Sequence, residues 1–469
     1  MTSQKTPLQT VLTHYRFPDY IVPHPLQREV IDESAELFNS GQWLSMGCGK
    51  TLCATAIGLY HKITRGNQVI VIMPPILIRQ WGRWLASIKP DLSVTEYRGT
   101  PAQRAALDLD MDFVLVGIQI FKKDFARFSD HFFGKAYTLV VDEATMLGNI
   151  QSDNHKKVYD FSIGHEQIML TGTPMNSVMD VYALMKFSAP GTYRNIRHFW
   201  DTHVTFVNSY KNPVEFQNLD LLSTNLMVNS RRVLFEDMYN DAQAPLYSQI
   251  NYELEPNHYA LYRRLAEKAL LQLPEEDKIG FLTVQRLTHA LGQIVVNLGH
   301  FSGKPDAASN AIALIDEKLA ELGGGKLVVF ANYRKSVAAV MQNFAKFGAM
   351  AINSDVTETQ KQLSLDRFKA DPSCRVLVAQ FKSGGYGLDG LQHVCSHCIF
   401  IEPCQQPREF HQAVARLKRT GQSKRVVVYL AIAEGTLQVR GFNNLLANDS
   451  LVNRVVRNIA DLREAIYGN

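Results

Sequence analysis

Residues Thr138–Thr145 read TLVVDEAT, a short β-prone run that ends on two adjacent carboxylates. A strand that is apolar throughout, and not only at alternate positions, suits a parallel sheet covered on both faces. Working outward from this run, Val69–Met73, Phe113–Val116 and Gln167–Leu170 repeat the pattern in the N-terminal half. Lys326–Phe330, Ala349–Ile352, Arg375–Ala379, Cys398–Ile401 and Val426–Ile432 form a second set. Helical spacing lies between the runs: Leu77, Trp81, Trp84, Leu85 and Ile88 share one face, which predicts a helix with a buried stripe. Strands alternating with helices predict an α/β fold with right-handed crossovers, and two sets of strands predict two parallel-sheet lobes in tandem.

Between the two sets the strand pattern fades, and the stretch Asn257–Leu298 reads mostly helical. The expected division is a first lobe at 1–190, a helical insertion or bridge at 191–305, and a second lobe at 306–469 that closes on a C-terminal helix. Gly323–Gly325 is read as a turn ahead of the second set. A chain of 469 residues, 46% hydrophobic and 20% charged, is long enough for two or three domains with real cores. Its net charge of +4 excludes no partner, because basic residues can gather in one groove while the total stays near neutral. Six cysteines in so long a chain do not make a disulfide framework, which suits a reducing compartment. The opening MTSQKTPLQTVLTHYRF has no secretory pattern, and no apolar stretch reaches the roughly 18 residues that cross a bilayer. These features predict a cytoplasmic protein, or a nuclear one in a eukaryote, with no membrane partner.

SMGCGKT, Ser45–Thr51, precedes a helix-compatible segment, Leu52–Tyr60. Gly47 and Gly49 allow a tight turn whose N–H groups point at phosphate oxygens; Lys50 would reach the β- and γ-phosphates of ATP, and Thr51 would hold Mg²⁺. The generic phosphate-loop pattern asks for glycine at position 44, where this chain has Leu44. Asp142, at the end of its strand, can hold the same Mg²⁺ through water, and Glu143 can orient and deprotonate an attacking water. Taken alone, that acidic pair would equally suit a turn capping the next helix. LTGTPMNS, Leu170–Ser177, also follows a strand and offers the hydroxyls of Thr171 and Thr173. In the second half, QAVARLKRTGQ places Arg416 and Arg419 three residues apart, on one face if the segment is helical. Two guanidiniums so spaced suit a γ-phosphate, and an exposed basic helix is the plainer alternative.

With these elements in order, the chain resembles superfamily 2 helicases, most closely the Swi/Snf-type branch. MGCGKT, VIMPPILIRQW, VVDEAT and LTGTPMNS are similar to successive elements of the first lobe of that branch, and SRRVLFED, Ser230–Asp237, to the paired arginines after it. LVVFANYRKS, AQFKSGGYGLDG, QAVARLKRTGQ and GTLQ are similar to the elements of its second lobe. The resemblance runs from about Pro25 to Leu437 and implies two RecA-like lobes that hydrolyse ATP where they meet, driving movement along nucleic acid. It implies that Gln27, in PHPLQREV, reads the adenine edge, that Met46, Gly47, Cys48, Gly49, Lys50 and Thr51 line the nucleotide, and that Gly387 and Asp389, in GLDG, lie near the ribose. It also implies that Arg416 and Arg419 are the family's two arginines. Thr145 after the acidic pair and Asp389 in place of the branch's usual Asn are departures.

The function expected from this set is a DNA-stimulated ATPase translocating on duplex or branched DNA, with single strands as a further substrate and RNA less favoured. A strand-separating helicase and a non-catalytic nucleic-acid clamp or loader are the alternatives; the intact Lys50, Asp142, Glu143, Arg416 and Arg419 argue against the clamp. Candidate track contacts are the loops after Met73 and around Gly99, Asn332–Lys335 and Lys382–Gly385. HVCSHC, His393–Cys398, with Cys404 and His411 could suggest zinc, but Cys398 opens an apolar strand and the cysteines read more simply as small buried residues. Trp81 and Trp84 share the spacing of Leu77 and Ile88, so they read as core and not as a stacking platform.

Overall fold

The computed structural model describes residues 5–446 other than 20, 173, 175–177, 208–212, 239–243, 271–290, 299–308, 354, 382–389, 405–406, 420, 440 and 444. The chain separates into a unit at Met1–Tyr239 and a second at Asn240–Ser450. The first is built on strands β1 (Asn39–Leu44), β2 (Gln68–Met73), β3 (Val94–Tyr97), β4 (Phe113–Gly117), β5 (Tyr137–Asp142) and β6 (Glu166–Leu170). A small antiparallel pair follows, β7 (Val204–Val207) and β8 (Pro213–Phe216), and then β9 (Ser230–Val233). The large sheet has the order β3-β4-β2-β5-β6-β1-β9, with every pairing parallel. All six residues of β5 are buried, as a strand covered on both faces requires.

The second unit carries β10 (Leu246–Tyr252), β11 (Leu327–Ala331), β12 (Met350–Ile352), β13 (Val376–Gln380), β14 (His397–Phe400) and β15 (Val427–Ala433). They form a parallel sheet in the order β10-β15-β14-β11-β13-β12. One face packs Phe330, Phe400, Leu377 and Leu430 into one core cluster, and the other packs Val329, Ile399, Val378 and Ala431 into a second. Adjacent residues of one strand thus feed opposite cores, which is why these strands read as unbroken apolar runs. The α/β class with two parallel sheets is the architecture expected.

Four strands of the two sheets lack such a run. β1 reads NSGQWL, yet five of its six residues are buried. A Cβ on Gly41 would come within 2.3 Å of the Trp43 ring and 2.4 Å of Ser230 Oγ, so glycine there admits a close backbone approach. The others are β3, β9 and β10, which are edge strands and so have less surface to bury. The last two lie in the stretch 191–305 expected as a helical bridge. That stretch is divided in the structure: β9 and the helices Ile196–His203 and Leu219–Leu226 belong with the first unit, while β10 and the helix Pro256–Leu270 belong with the second. Phe199, Leu222 and Leu226 share a core with Trp43 and Val141.

Candidate functional site

The glycine loop joins β1 to the helix Lys50–Arg65. Gly47 and Gly49 have φ of 84° and 81°, the left-handed region that glycine enters without a steric penalty. Gly49 is the N-cap of that helix and supplies no side-chain cap, so the first-turn N–H groups are not taken by one. The 16-residue helix presents its partial positive end at this turn, which is the arrangement that receives phosphate. Lys50 Nζ donates to the Leu44 carbonyl at 3.1 Å, so the ammonium is folded back over the loop. Thr51 lies in the first helical turn, half-buried.

Gln27 is fixed by its local sequence. HPLQ forms a capping box in which His24 is the N-cap and Pro25 opens the helix Pro25–Ser34; Gln27 Oε1 accepts from His24 N at 2.8 Å. The other end of the same amide, Nε2, donates to the Cys48 carbonyl at 2.9 Å inside the glycine loop. Gln27 is therefore a brace for the loop, with one donor and one acceptor position left over on its amide.

At the C-terminal end of β5, Asp142 and Glu143 are 6% and 5% exposed. Glu143 has φ 57°, a left-handed conformation that costs a non-glycine residue of order 1–3 kcal/mol. Asp142 Oδ1 accepts from Glu143 N, and Oδ2 accepts from Trp81 Nε1, each at 2.9 Å. Burial, followed by the neighbouring Glu143 charge, pushes the Asp142 carboxyl up to about 6, while the Trp81 bond and the Lys50 ammonium pull it down. Two adjacent buried carboxylates, with the Thr51 hydroxyl in the first turn of the helix after the glycine loop, are hard oxygen donors of the kind that suits Mg²⁺.

The turn after β6 closes the same corner. A Cβ on Gly172 would lie 3.4 Å from Leu44 O, 3.5 Å from Lys50 Nζ and 3.5 Å from Met46 Cγ. Arg232 Nη1 donates to Gly172 O at 2.7 Å and to Trp43 O at 2.8 Å, tying β9 to the ends of β6 and β1. The first unit therefore brings together Gln27, Met46–Thr51, Asp142, Glu143 and Thr171–Gly172. Thr173 lies outside the described residues.

In the second unit, the helix Pro407–Val414 ends before the arginines, so they do not share a face of one α-helix as their spacing predicted. The chain tightens there: Arg416 N bonds Ala413 O and Leu417 N bonds Val414 O, three residues back in each case. Arg416 is 2% exposed, while Arg419 is half-buried with Nε on Ala415 O at 3.2 Å. Gly387, Asp389 and Lys382–Gly385 lie outside the described residues. All six cysteines are buried, and burial pushes the Cys395 thiol up to about 11 and Cys53 up to about 12.

Residues 45–294, more than half of the chain, match the SNF2-related domain. The chain belongs to the SNF2-related family. Residues 310–421 match the helicase conserved C-terminal domain, so both halves of an SNF2-type core are present. A zebrafish (Danio rerio) protein named chromodomain-helicase-DNA-binding protein 1-like is 24% identical over 438 residues, covering 88% of this chain and 41% of the relative. An uncharacterized ATP-dependent helicase of Mycoplasma genitalium, MG018, is 23% identical over 411 residues, covering 84% of this chain and 38% of the relative. The chain thus spans about two fifths of the length of these relatives. The helicase domain of Pyrococcus furiosus Hef has the same fold, with a TM-score of 0.54 at 17% identity over 90% of this chain and 98% of that one. Among the described residues no helix is long and apolar enough to cross a membrane.

The supporting roles of three residues of this SNF2-related core are not evident from the sequence pattern alone. Trp81 has the spacing of an apolar core residue, and nothing in that spacing reveals the indole bond to Asp142. Arg232 belongs to the recognised paired arginines, but only the sheet order brings it to Gly172. Glu402 carried a legible signal: like Asp142 it directly follows an apolar strand, in CIFIEP.

Proposed function

We propose that this SNF2-related core is an ATP-driven DNA motor, hydrolysing ATP at the glycine loop of the first unit and moving along duplex or branched DNA. The observation that carries the reading is the convergence, in one unit, of a left-handed glycine turn at a helix N-terminus, Lys50 and a buried acidic pair. In this reading, loop N–H groups and Lys50 bind the ATP phosphates, and Lys50 exchanges its bond to Leu44 O for phosphate oxygen. Gln27 offers its remaining amide positions to the adenine edge while holding Cys48. Thr51 and Asp142 would hold Mg²⁺, which supplies charge neutralisation on the phosphates. Glu143, held close by its strained backbone, takes the proton of the attacking water. By the family resemblance, Arg416 and Arg419 would supply positive charge to the transferring phosphoryl group, and Gly387 and Asp389 would serve the ribose.

DNA as the track rests on family membership and on the zebrafish relative, whose name includes DNA binding. Grip through phosphates predicts binding that weakens steeply with salt and reads little sequence. The deciding experiment is ATP turnover of the full chain with duplex DNA, branched DNA, single-stranded DNA and RNA side by side, with Lys50→Ala as the inactive control. Stimulation by duplex or branched DNA is expected. Turnover stimulated by RNA alone would overturn the choice of track, and no turnover with any nucleic acid would favour a clamp.

A further inference from the structure

Trp81 is 1% exposed on the helix Ile78–Ala86, and its Nε1–H donates to Asp142 Oδ2 at 2.9 Å. Asp142 Oδ1 is held separately by Glu143 N. With a donor on each oxygen, the carboxylate plane cannot rotate freely, and its remaining lone pairs face a fixed direction. An indole N–H only donates, so this partner cannot reverse its role. Trp84, on the same helix, is turned elsewhere: its Nε1 donates to Thr55 Oγ1 at 2.9 Å, and its ring lies 5.8 Å from that of Phe17. Thr55 belongs to the helix that follows the glycine loop. One helix thus places two indoles, the first on the acid and the second on the phosphate-loop helix. That helix begins just beyond the turn Pro75–Leu77, which leaves the end of β2.

We propose that Trp81 is a positioning residue for Asp142, its indole N–H setting the direction in which the carboxylate presents its free oxygen positions to the magnesium of a bound nucleotide. This rests on the ATP-site reading above.

The test uses the full chain and its Trp81→Phe and Trp84→Phe variants. Binding of a fluorescent ADP analogue is followed across a magnesium titration and again in EDTA. Trp81→Phe should raise the magnesium concentration at half-saturation about tenfold or more, the usual effect of removing an outer-shell partner of a metal ligand. Its nucleotide affinity in EDTA should match that of the parent, and Trp84→Phe should follow the parental magnesium curve. Superimposable curves for Trp81→Phe and the parent would overturn the role of Trp81 alone. A parent with no magnesium-dependent nucleotide binding would overturn the ATP-site reading and this proposal with it. If Trp81→Phe does not fold, the chain labelled with ¹⁵N-tryptophan carries the test through its indole N–H signals. Asp142→Asn should move one indole signal upfield, and the same signal should respond to Mg–ADP. An indole set indifferent to Asp142→Asn overturns the proposal.

Discussion

Glu402→Gln should remove a pH dependence from the second unit. Glu402 is fully buried two residues past the end of β14. It accepts from Asn332 N at 2.6 Å, from Tyr333 N at 3.1 Å and from the Ser336 hydroxyl, so it closes the N-terminus of the helix Arg334–Asn343. Asn297 Nδ2 extends the network by donating to Ser336 Oγ at 2.7 Å. These three donors favour the carboxylate, but burial outweighs them and pushes the carboxyl from its ordinary 4.5 up to about 7. Below about pH 4.5 the folded and opened states both hold the proton, and the stability contribution is complete. From there to about pH 7 the folded state keeps a proton that the opened state has released, so stability declines as pH rises. The gap of roughly 2.5 pH units corresponds to about 3 kcal/mol, lost by the time pH passes about 7. Hydrogen–deuterium exchange of the peptide spanning β11 and the helix Arg334–Asn343, corrected for intrinsic rates, reads this opening directly. Protection in the parent should fall by about two orders of magnitude across that window, and Glu402→Gln should stay level. Parallel pH profiles for the two proteins would refute the assignment of the cost to a buried Glu402 carboxylate.

Gly49→Ala should lose nucleotide affinity by more than about tenfold, because its Cβ would stand 2.2 Å from Gln27 Nε2 at a φ of +81°. Gly66→Ala, at +73° but with nothing within 4 Å, should cost about 1 kcal/mol of stability and leave binding intact; equal binding losses in the two variants would refute the argument from the loop. Glu143→Gln should retain ATP and stop its hydrolysis, and parental turnover would show that the base lies elsewhere. Arg419→Ala should reduce turnover by about 10³-fold or more while ATP affinity changes little, as single-turnover rates beside equilibrium binding would show.

The sequence by itself determined the α/β class, the glycine loop, the acidic pair and the family. Each of these is written in contiguous residues whose local physics is self-contained: a buried parallel strand must be apolar throughout, and a phosphate turn must have glycine where φ is positive. Only the tertiary structure revealed β1, because Asn39, Ser40, Gly41 and Gln42 carry no apolar run, and the last three are buried by neighbours distant in sequence. Sheet order also reassigned the stretch 191–305, since β9 and β10 are edge strands whose membership depends on their partners and not on their own residues. The same is true of the site's supports. Trp81 is 61 residues from Asp142, Arg232 is 60 from Gly172 and Glu402 is 70 from Asn332. A hydrogen bond over such a separation leaves no periodicity in the chain, because it is set by which strands lie side by side, and that follows from the packing of the whole sheet.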